Sequence, residues 1–185
     1  IHGLDYMMDE VVEEGTGRLL EERILAIHKL KSAAPASYLA QIGVILGGGT
    51  EIQVNGLGDY YEALGISFQI IDDTLNLRGF KDGLKTKGED ITSGKITYPI
   101  AKAMTRLDKL DRARLWKIVA SKTDDVVLIK EAVDLLDKVS ALDECVQEAK
   151  DILNDAWKIL DPLVRDSMVK LNLRAFSWYV LDRHY

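Results

Sequence analysis

Apolar positions recur three and four residues apart along nearly the whole chain, a spacing that predicts helices. Leu4, Met7, Met8, Val11 and Val12 mark a first amphipathic helix, and Gly15-Thr16-Gly17 breaks it. Leu19, Leu20, Ile24, Leu25 and Ile27 carry a second, through His28. Lys31-Ser32-Ala33-Ala34-Pro35 opens a third, continuing from Tyr38 to Leu46 with almost no charge. A helix apolar all round is expected in the core, and Ala33, Ala34, Ala36, Ala40 and Gly43 would let a neighbour approach closely. Gly47-Gly48-Gly49 ends it; this run lacks the Lys-Ser/Thr pair of a P-loop and reads as a helix stop. A fourth helix is predicted after Gly56 or Gly58, with Asp59 and Glu62 in a capping-box pattern, running to Leu77.

The segment from Arg78-Gly79 to Gly88 is polar and lysine-rich and reads as a loop. Thr92-Ser93-Gly94-Lys95 restarts structure, and Thr97-Tyr98-Pro99-Ile100 enters a helix reaching about Arg106. Amphipathic helices follow from Leu107 to Ala120, after an Asp124-Asp125 cap, and from Leu142 to Leu160. Pro162 sets a new start, and the chain closes on a helix in which Phe176, Trp178 and Tyr179 read as core packing. Val, Ile and Thr seldom alternate with polar residues over strand length, so the fold class is all-α. No repeat or linker divides the chain, and residues 1–185 read as part of one domain.

Inside the fourth helix the pattern changes. Phe68, Ile70, Ile71, Leu75 and Leu77 form an apolar run interrupted by Gln69, Asp72, Asp73 and Asn76. Counting from Gln69, these four polar residues lie at i, i+3, i+4 and i+7, on one stripe. One reading is the solvated end of a helix, where most charged residues sit. The other is a ligand site, because adjacent carboxylates among apolar residues are costly to bury unless neutralised. Hard oxygen donors suit Mg²⁺. Downstream, Lys81, Lys85, Lys87, Glu89, Asp90 and Lys95 follow on a glycine-punctuated stretch. Carboxylates that gather Mg²⁺, facing lysines that meet a polyanion, make a pattern suited to diphosphate.

Composition narrows the partners. The chain has 185 residues, 47% hydrophobic and 29% charged, as in ordinary globular proteins. A net charge of −6 argues against a nucleic-acid partner, so an anionic ligand needs local lysines or a metal. The single Cys145 excludes an internal disulfide and fits a reducing, cytoplasmic compartment. No apolar run reaches the length of a membrane span. The opening Ile1-His2-Gly3-Leu4-Asp5, without a start Met, suggests a chain that begins mid-protein, so an organelle-targeting segment could lie upstream.

Phe68-Gln69-x-x-Asp72-Asp73-x-x-Asn76 resembles the second Asp-rich motif of the trans-isoprenyl diphosphate synthases, the polyprenyl synthetase family that includes geranylgeranyl and farnesyl diphosphate synthases. Gly88-Glu89-Asp90-Ile91-Thr92-Ser93-Gly94-Lys95-Ile96-Thr97-Tyr98-Pro99 resembles that family's following segment. Lys31-Ser32 resembles its Lys-Thr pair, and Asp5 the aspartate of its Gly-Gln-x-x-Asp helix, with Ile1-His2 in place of Gly-Gln. Asn76 stands where the motif ends in Asp. The resemblance implies the C-terminal part of an all-α bundle around a central cavity, with its N-terminal helices and first Asp-rich motif upstream of Ile1. It also implies a homodimer and an Mg²⁺-dependent prenyl transfer from an allylic diphosphate to isopentenyl diphosphate.

Carried over by position, Asp72 is a direct metal ligand, and Asp73 and Asn76 support the metals. Asp5 lies near them, and Gln69 supports the site. Lys31 and Lys95 bind the allylic diphosphate, and Lys85 or Lys87 supplies the charge that some members place at the Thr86 position. Ser32 and the Lys31 carbonyl lie near the reacting carbon. The resemblance also leaves a terpene cyclase of the same fold, or a non-catalytic subunit that alters a partner's product length, as alternatives.

Overall fold

A computed structural model of the chain describes residues 2–79 and 88–182. Every regular element among them is helical, as the spacing predicted. A 3₁₀ turn, His2–Met7, leads into α1 (Met8–Glu14) and α2 (Gly17–His28). A π turn, Lys29–Ala33, joins α2 to α3 (Ala34–Leu46), and the long α4 (Glu51–Arg78) follows. Then come α5 (Glu89–Thr92), α6 (Tyr98–Met104), α7 (Lys109–Ala120), α8 (Val126–Lys138), α9 (Ala141–Leu160) and α10 (Met168–Asp182). None of these helices is long and apolar enough to cross a membrane.

The chain divides into two compact units. The first holds the chain up to Leu25 together with Asp72–Cys145. Its centre is α6, every residue of which is buried, including Lys102. That lysine lies over the Tyr98 ring, 5.1 Å from its centroid, and 3.7 Å from Glu21. Met8, Leu20, Leu77, Ile91, Leu115, Ile118 and Leu136 of the same unit are buried too, and α6 meets α8. The apolar stripes of α1 and α8 both meet α7. Arg112 of α7 donates through Nε to the Val12 carbonyl at 2.9 Å, satisfying an acceptor that the end of α1 leaves open.

The second unit holds Ala26–Ile71 together with the chain from Val146. Here Tyr60 is buried; its hydroxyl donates to Ser177 Oγ at 2.5 Å, which in turn donates to the Arg174 carbonyl at 2.7 Å. Ser67 Oγ donates to the Ala149 carbonyl at 2.9 Å, tying α4 to α9.

Three expectations change. The fourth helix starts at Glu51, not after Gly56 or Gly58. Its start is a capping box: Thr50 N–H donates to Gln53 Oε1 at 3.0 Å, and Gln53 N–H to Thr50 Oγ1 at 3.4 Å. Gly56 and Gly58 lie inside the helix because neighbours crowd them; a Cβ there would come within 2.6 Å of Leu163 Cδ1 and 2.3 Å of Gln41 Nε2. The uniformly apolar α3 is not a core helix: Tyr38, Leu39, Ile42, Ile45 and Leu46 are each more than half exposed. The helix buried on all sides is α6, so absence of charge did not identify the covered helix. On α10, Phe176, Trp178 and Tyr179 are exposed, whereas Ser177, Val180 and Leu181 are buried. Positions i, i+3 and i+4 take the inward stripe and turn the aromatic rings out. The Arg174 guanidinium lies over the Trp157 and Trp178 rings, at 5.0 and 5.3 Å from their centroids.

The cap makes a direct test. Thr50→Ala should cost about 1 kcal/mol in urea denaturation, whereas Asp59→Ala, inside the helix and exposed, should stay within about 0.5 kcal/mol.

Candidate active site

The polar stripe of α4 sits where the sequence put it, and its residues meet different surroundings. Asp72 is half-buried, Asp73 is 1% exposed and Asn76 is buried. A carboxylate as deep as Asp73 needs partners to stay ionised. Lys95 Nζ donates to its Oδ1 at 2.8 Å, and the Tyr98 N–H, the first of α6, donates to its Oδ2 at 3.2 Å. Asp73 thus caps a helix far from it in sequence, where the open N–H groups and the positive end of the dipole favour an anion.

Asn76 ties down the stretch before Lys95. Its side-chain Oδ1 accepts from the Asp90 N–H at 2.9 Å, and its backbone carbonyl accepts from the Gly88 N–H at 2.9 Å. Lys95 Nζ also lies 3.3 Å from both Asp90 oxygens. One ammonium is shared by two carboxylates.

Burial and the neighbouring charges act on both groups. Burial holds the Asp90 carboxyl above the usual carboxylate range; Lys95 opposes that rise, while Asp73 and Asp72 add to it. For Lys95, burial works against the charged form, but attraction to Asp73, then to Asp90, outweighs it and keeps the ammonium above its ordinary value.

Among the described residues no group of three or more His, Cys, Asp or Glu side chains is arranged to hold a metal ion. Mg²⁺ does not require one: it keeps several waters and binds through one or two carboxylates plus substrate phosphate oxygens. The donors at the end of α4 are carboxylate and amide oxygens, the hard ligands that Mg²⁺ takes. The residues present therefore fit Mg²⁺ held jointly with a bound diphosphate.

The other predicted site residues fall elsewhere. Asp5 is exposed on the first 3₁₀ turn of the first unit. Gln69, half-buried, belongs to the second unit, as do Lys31 and Ser32. Lys85 and Lys87 lie outside the described residues. Lys31 and Ser32 occupy the π turn Lys29–Ala33, where the Ala34 N–H bonds back five residues to the Lys29 carbonyl. Such turns interrupt the ordinary helical ladder and recur at functional positions. Lys31 is exposed and Ser32 half-buried, while Ala33 points into the unit and is buried.

Gly65 of α4 sets how close α4 and this turn come. A Cβ on Gly65 would lie 2.5 Å from Ala33 Cα and 3.1 Å from Ala33 N. Those are backbone atoms and cannot swing aside. The sequence showed Gly65 only as the residue that opens the apolar run. Asp90 was visible as a charge near Lys95, but the spacing gave no hint that it shares the ammonium with Asp73.

Comparison with known proteins gives concordant matches. A family model described as polyprenyl synthetase matches residues 4–136. The short chain isoprenyl diphosphate synthase of Methanothermobacter thermautotrophicus is 32% identical over 96% of this chain and 54% of its own length. The crystal structure of a decaprenyl diphosphate synthase from Rhodobacter capsulatus superposes with a TM-score of 0.78 at 30% identity, covering 96% of this chain and 57% of that one. That of geranylgeranyl pyrophosphate synthetase from Pyrococcus horikoshii gives 0.80 at 26% identity, covering 98% and 57%. The chain thus spans about half the length of the first curated relative and a little more of these structures.

Gly65 carries the testable consequence. In an unconstrained helix, glycine to alanine stabilises by up to about 1 kcal/mol. Here the added methyl meets backbone, so Gly65→Ala should destabilise by about 1–3 kcal/mol in urea denaturation.

Proposed function

This chain belongs to the polyprenyl synthetase family, and from that premise we propose that the protein joins isopentenyl diphosphate to an allylic diphosphate, lengthening a prenyl chain. The observation that carries the reading is the acidic end of α4, with Asp73 buried beside Lys95 and Asp72 on the same stripe. The family match supports the reaction class, and the relatives' names support a linear prenyl diphosphate as product.

In the proposed reaction the allylic C–O bond breaks and diphosphate leaves with the electron pair. The double bond of isopentenyl diphosphate attacks the resulting cation and forms the new C–C bond. A proton is then lost, with diphosphate as its acceptor. The barrier lies in separating charge, so what accelerates the step is positive charge placed in advance around the leaving group. When bound, Mg²⁺ supplies that charge.

Asp72 would hold the metal on the protein side, and Gln69, on the preceding turn of the same helix, would support it. Asp5 and Asn76 are assigned supporting parts through water. Lys31 offers the diphosphate an ammonium as a mobile point charge. Ser32 and the Lys31 carbonyl, in the π turn, are the lone-pair donors assigned to steady the developing cation. Lys85 or Lys87 adds a further ammonium to the diphosphate. The protein acts as a homodimer in the cytoplasm or an organelle, with no nucleic-acid partner.

The test incubates the full-length protein with labelled isopentenyl diphosphate, Mg²⁺ and each of several allylic starters. Longer labelled prenyl diphosphates are expected. A cyclic hydrocarbon or an alcohol formed from the starter alone would indicate a cyclase, and no turnover with any starter would indicate a non-catalytic subunit. Asp72→Asn should lower kcat/KM by about 100-fold or more. Lys31→Met should raise the KM for the allylic substrate at least about tenfold, as loss of a charge-assisted contact does. Unchanged elongation by Asp72→Asn would remove the metal role.

A further inference from the structure

The acidic motif on α4 does two jobs, and the contacts divide it. Its second half, Asp73 and Asn76, makes four bonds to the chain between Gly88 and Tyr98. These are Asn76 carbonyl to Gly88 N–H at 2.9 Å, Asn76 Oδ1 to Asp90 N–H at 2.9 Å, Asp73 Oδ1 to Lys95 Nζ at 2.8 Å and Asp73 Oδ2 to Tyr98 N–H at 3.2 Å. Lys95 closes the set by reaching Asp90 at 3.3 Å. On the other side, the Gly79 N–H returns to the Leu75 carbonyl at 2.9 Å. The chain therefore leaves α4 and is tied back to it within about one turn. Gly88 makes the return possible: its φ is +81°, and a Cβ there would come within 2.4 Å of Ile129 Cγ2.

We propose that Asp73, Asn76, Asp90 and Lys95 form a latch that fixes Gly88–Tyr98 on the end of α4, and that Lys95 is a positioning residue of this latch rather than a ligand of the diphosphate. An ammonium has three N–H donors and no acceptor. Those of Lys95 face two carboxylates, one of them nearly out of water. Moving Lys95 to a diphosphate would break its bonds to the buried Asp73 and to Asp90, and removing one partner from a buried ion pair is strongly unfavourable. Asp73 itself is occupied in joining α6 and Lys95 to α4, so its contribution to a metal is to hold the helix end on which Asp72 sits. The function of the latch rests on the reading of Asp72 given above; its existence does not.

The experiment is a double-mutant cycle between Lys95→Met and Asp73→Asn in the full-length protein, read by thermal unfolding. It is joined to calorimetric titration with magnesium and inorganic diphosphate, and to hydrogen exchange at the Asp90 and Tyr98 amides. Lys95→Met alone should lower Tm by about 5–10 °C, and in the Asp73→Asn background by less than half as much. Exchange at both amides should quicken at least about tenfold in Lys95→Met. Lys95→Arg, which keeps the charge, should recover most of the protection. Affinity for magnesium diphosphate should fall no more than about twofold in Lys95→Arg. Additive Tm losses would overturn the latch. So would unchanged amide exchange in Lys95→Met together with a tenfold loss of diphosphate affinity, the pattern of a direct ligand. Neither the Tm cycle nor the amide exchange depends on which reaction the protein catalyses, so a failure of the proposed chemistry would leave both readings interpretable.

Discussion

A carboxylate that is 1% exposed in a helical core is the constraint to which the rest of the first unit answers. Asp73 cannot stay charged there without cations and N–H donors close by. Lys95 and the start of α6 supply them. The same contacts hold Lys95 and the start of α6 on the end of α4, and α6 itself is buried on every side. The electrostatic need of one side chain and the packing of the unit's central helix are met by the same contacts. Asp72, one residue earlier, is half-buried instead, since adjacent residues on a helix point about 100° apart. Paired aspartates in sequence become one anchored and one more accessible carboxylate in space.

The second unit relies less on buried charge, although Lys29 of the π turn pairs with Glu62 of α4 at 2.7 Å. Gly65 brings α4 against the π turn that carries Lys31 and Ser32, and Ser67 and Tyr60 bond α4 to α9 and α10. Here position is set by close backbone approach and by buried hydroxyls. A π turn pressed against a neighbouring helix has few ways to relax, which suits the part proposed for the Lys31 carbonyl and the Ser32 hydroxyl.

Much of the fold was legible because helices announce themselves through spacing. The long α9 and the α4 stripe are both where the periodicity placed them. What the sequence did not reveal is which partner each face finds. Lack of charge in α3 was read as burial, yet Tyr38, Leu39 and Ile42 are exposed, because a pattern states a preference and not the presence of a cover. Gly56 and Gly58 were read as a helix start, although glycine serves equally where two helices touch. The cap that does start α4, Thr50 with Gln53, was written in the sequence and was masked by those glycines. At the site, the residue types and their order pointed to the family. The pairing of Lys95 with Asp73 and Asp90 was hidden, because it depends on a return of the chain across more than twenty positions.

The division of the α4 acids is most directly examined by locating the metal. Crystals of the full-length protein grown with Mn²⁺ and inorganic diphosphate would give an anomalous signal at each ion. The account predicts an ion in coordination distance of the Asp72 carboxylate and of diphosphate oxygens, with Lys95 still bound to Asp73 and Asp90. An ion coordinated by Asp73, with Lys95 swung onto the diphosphate, would contradict it.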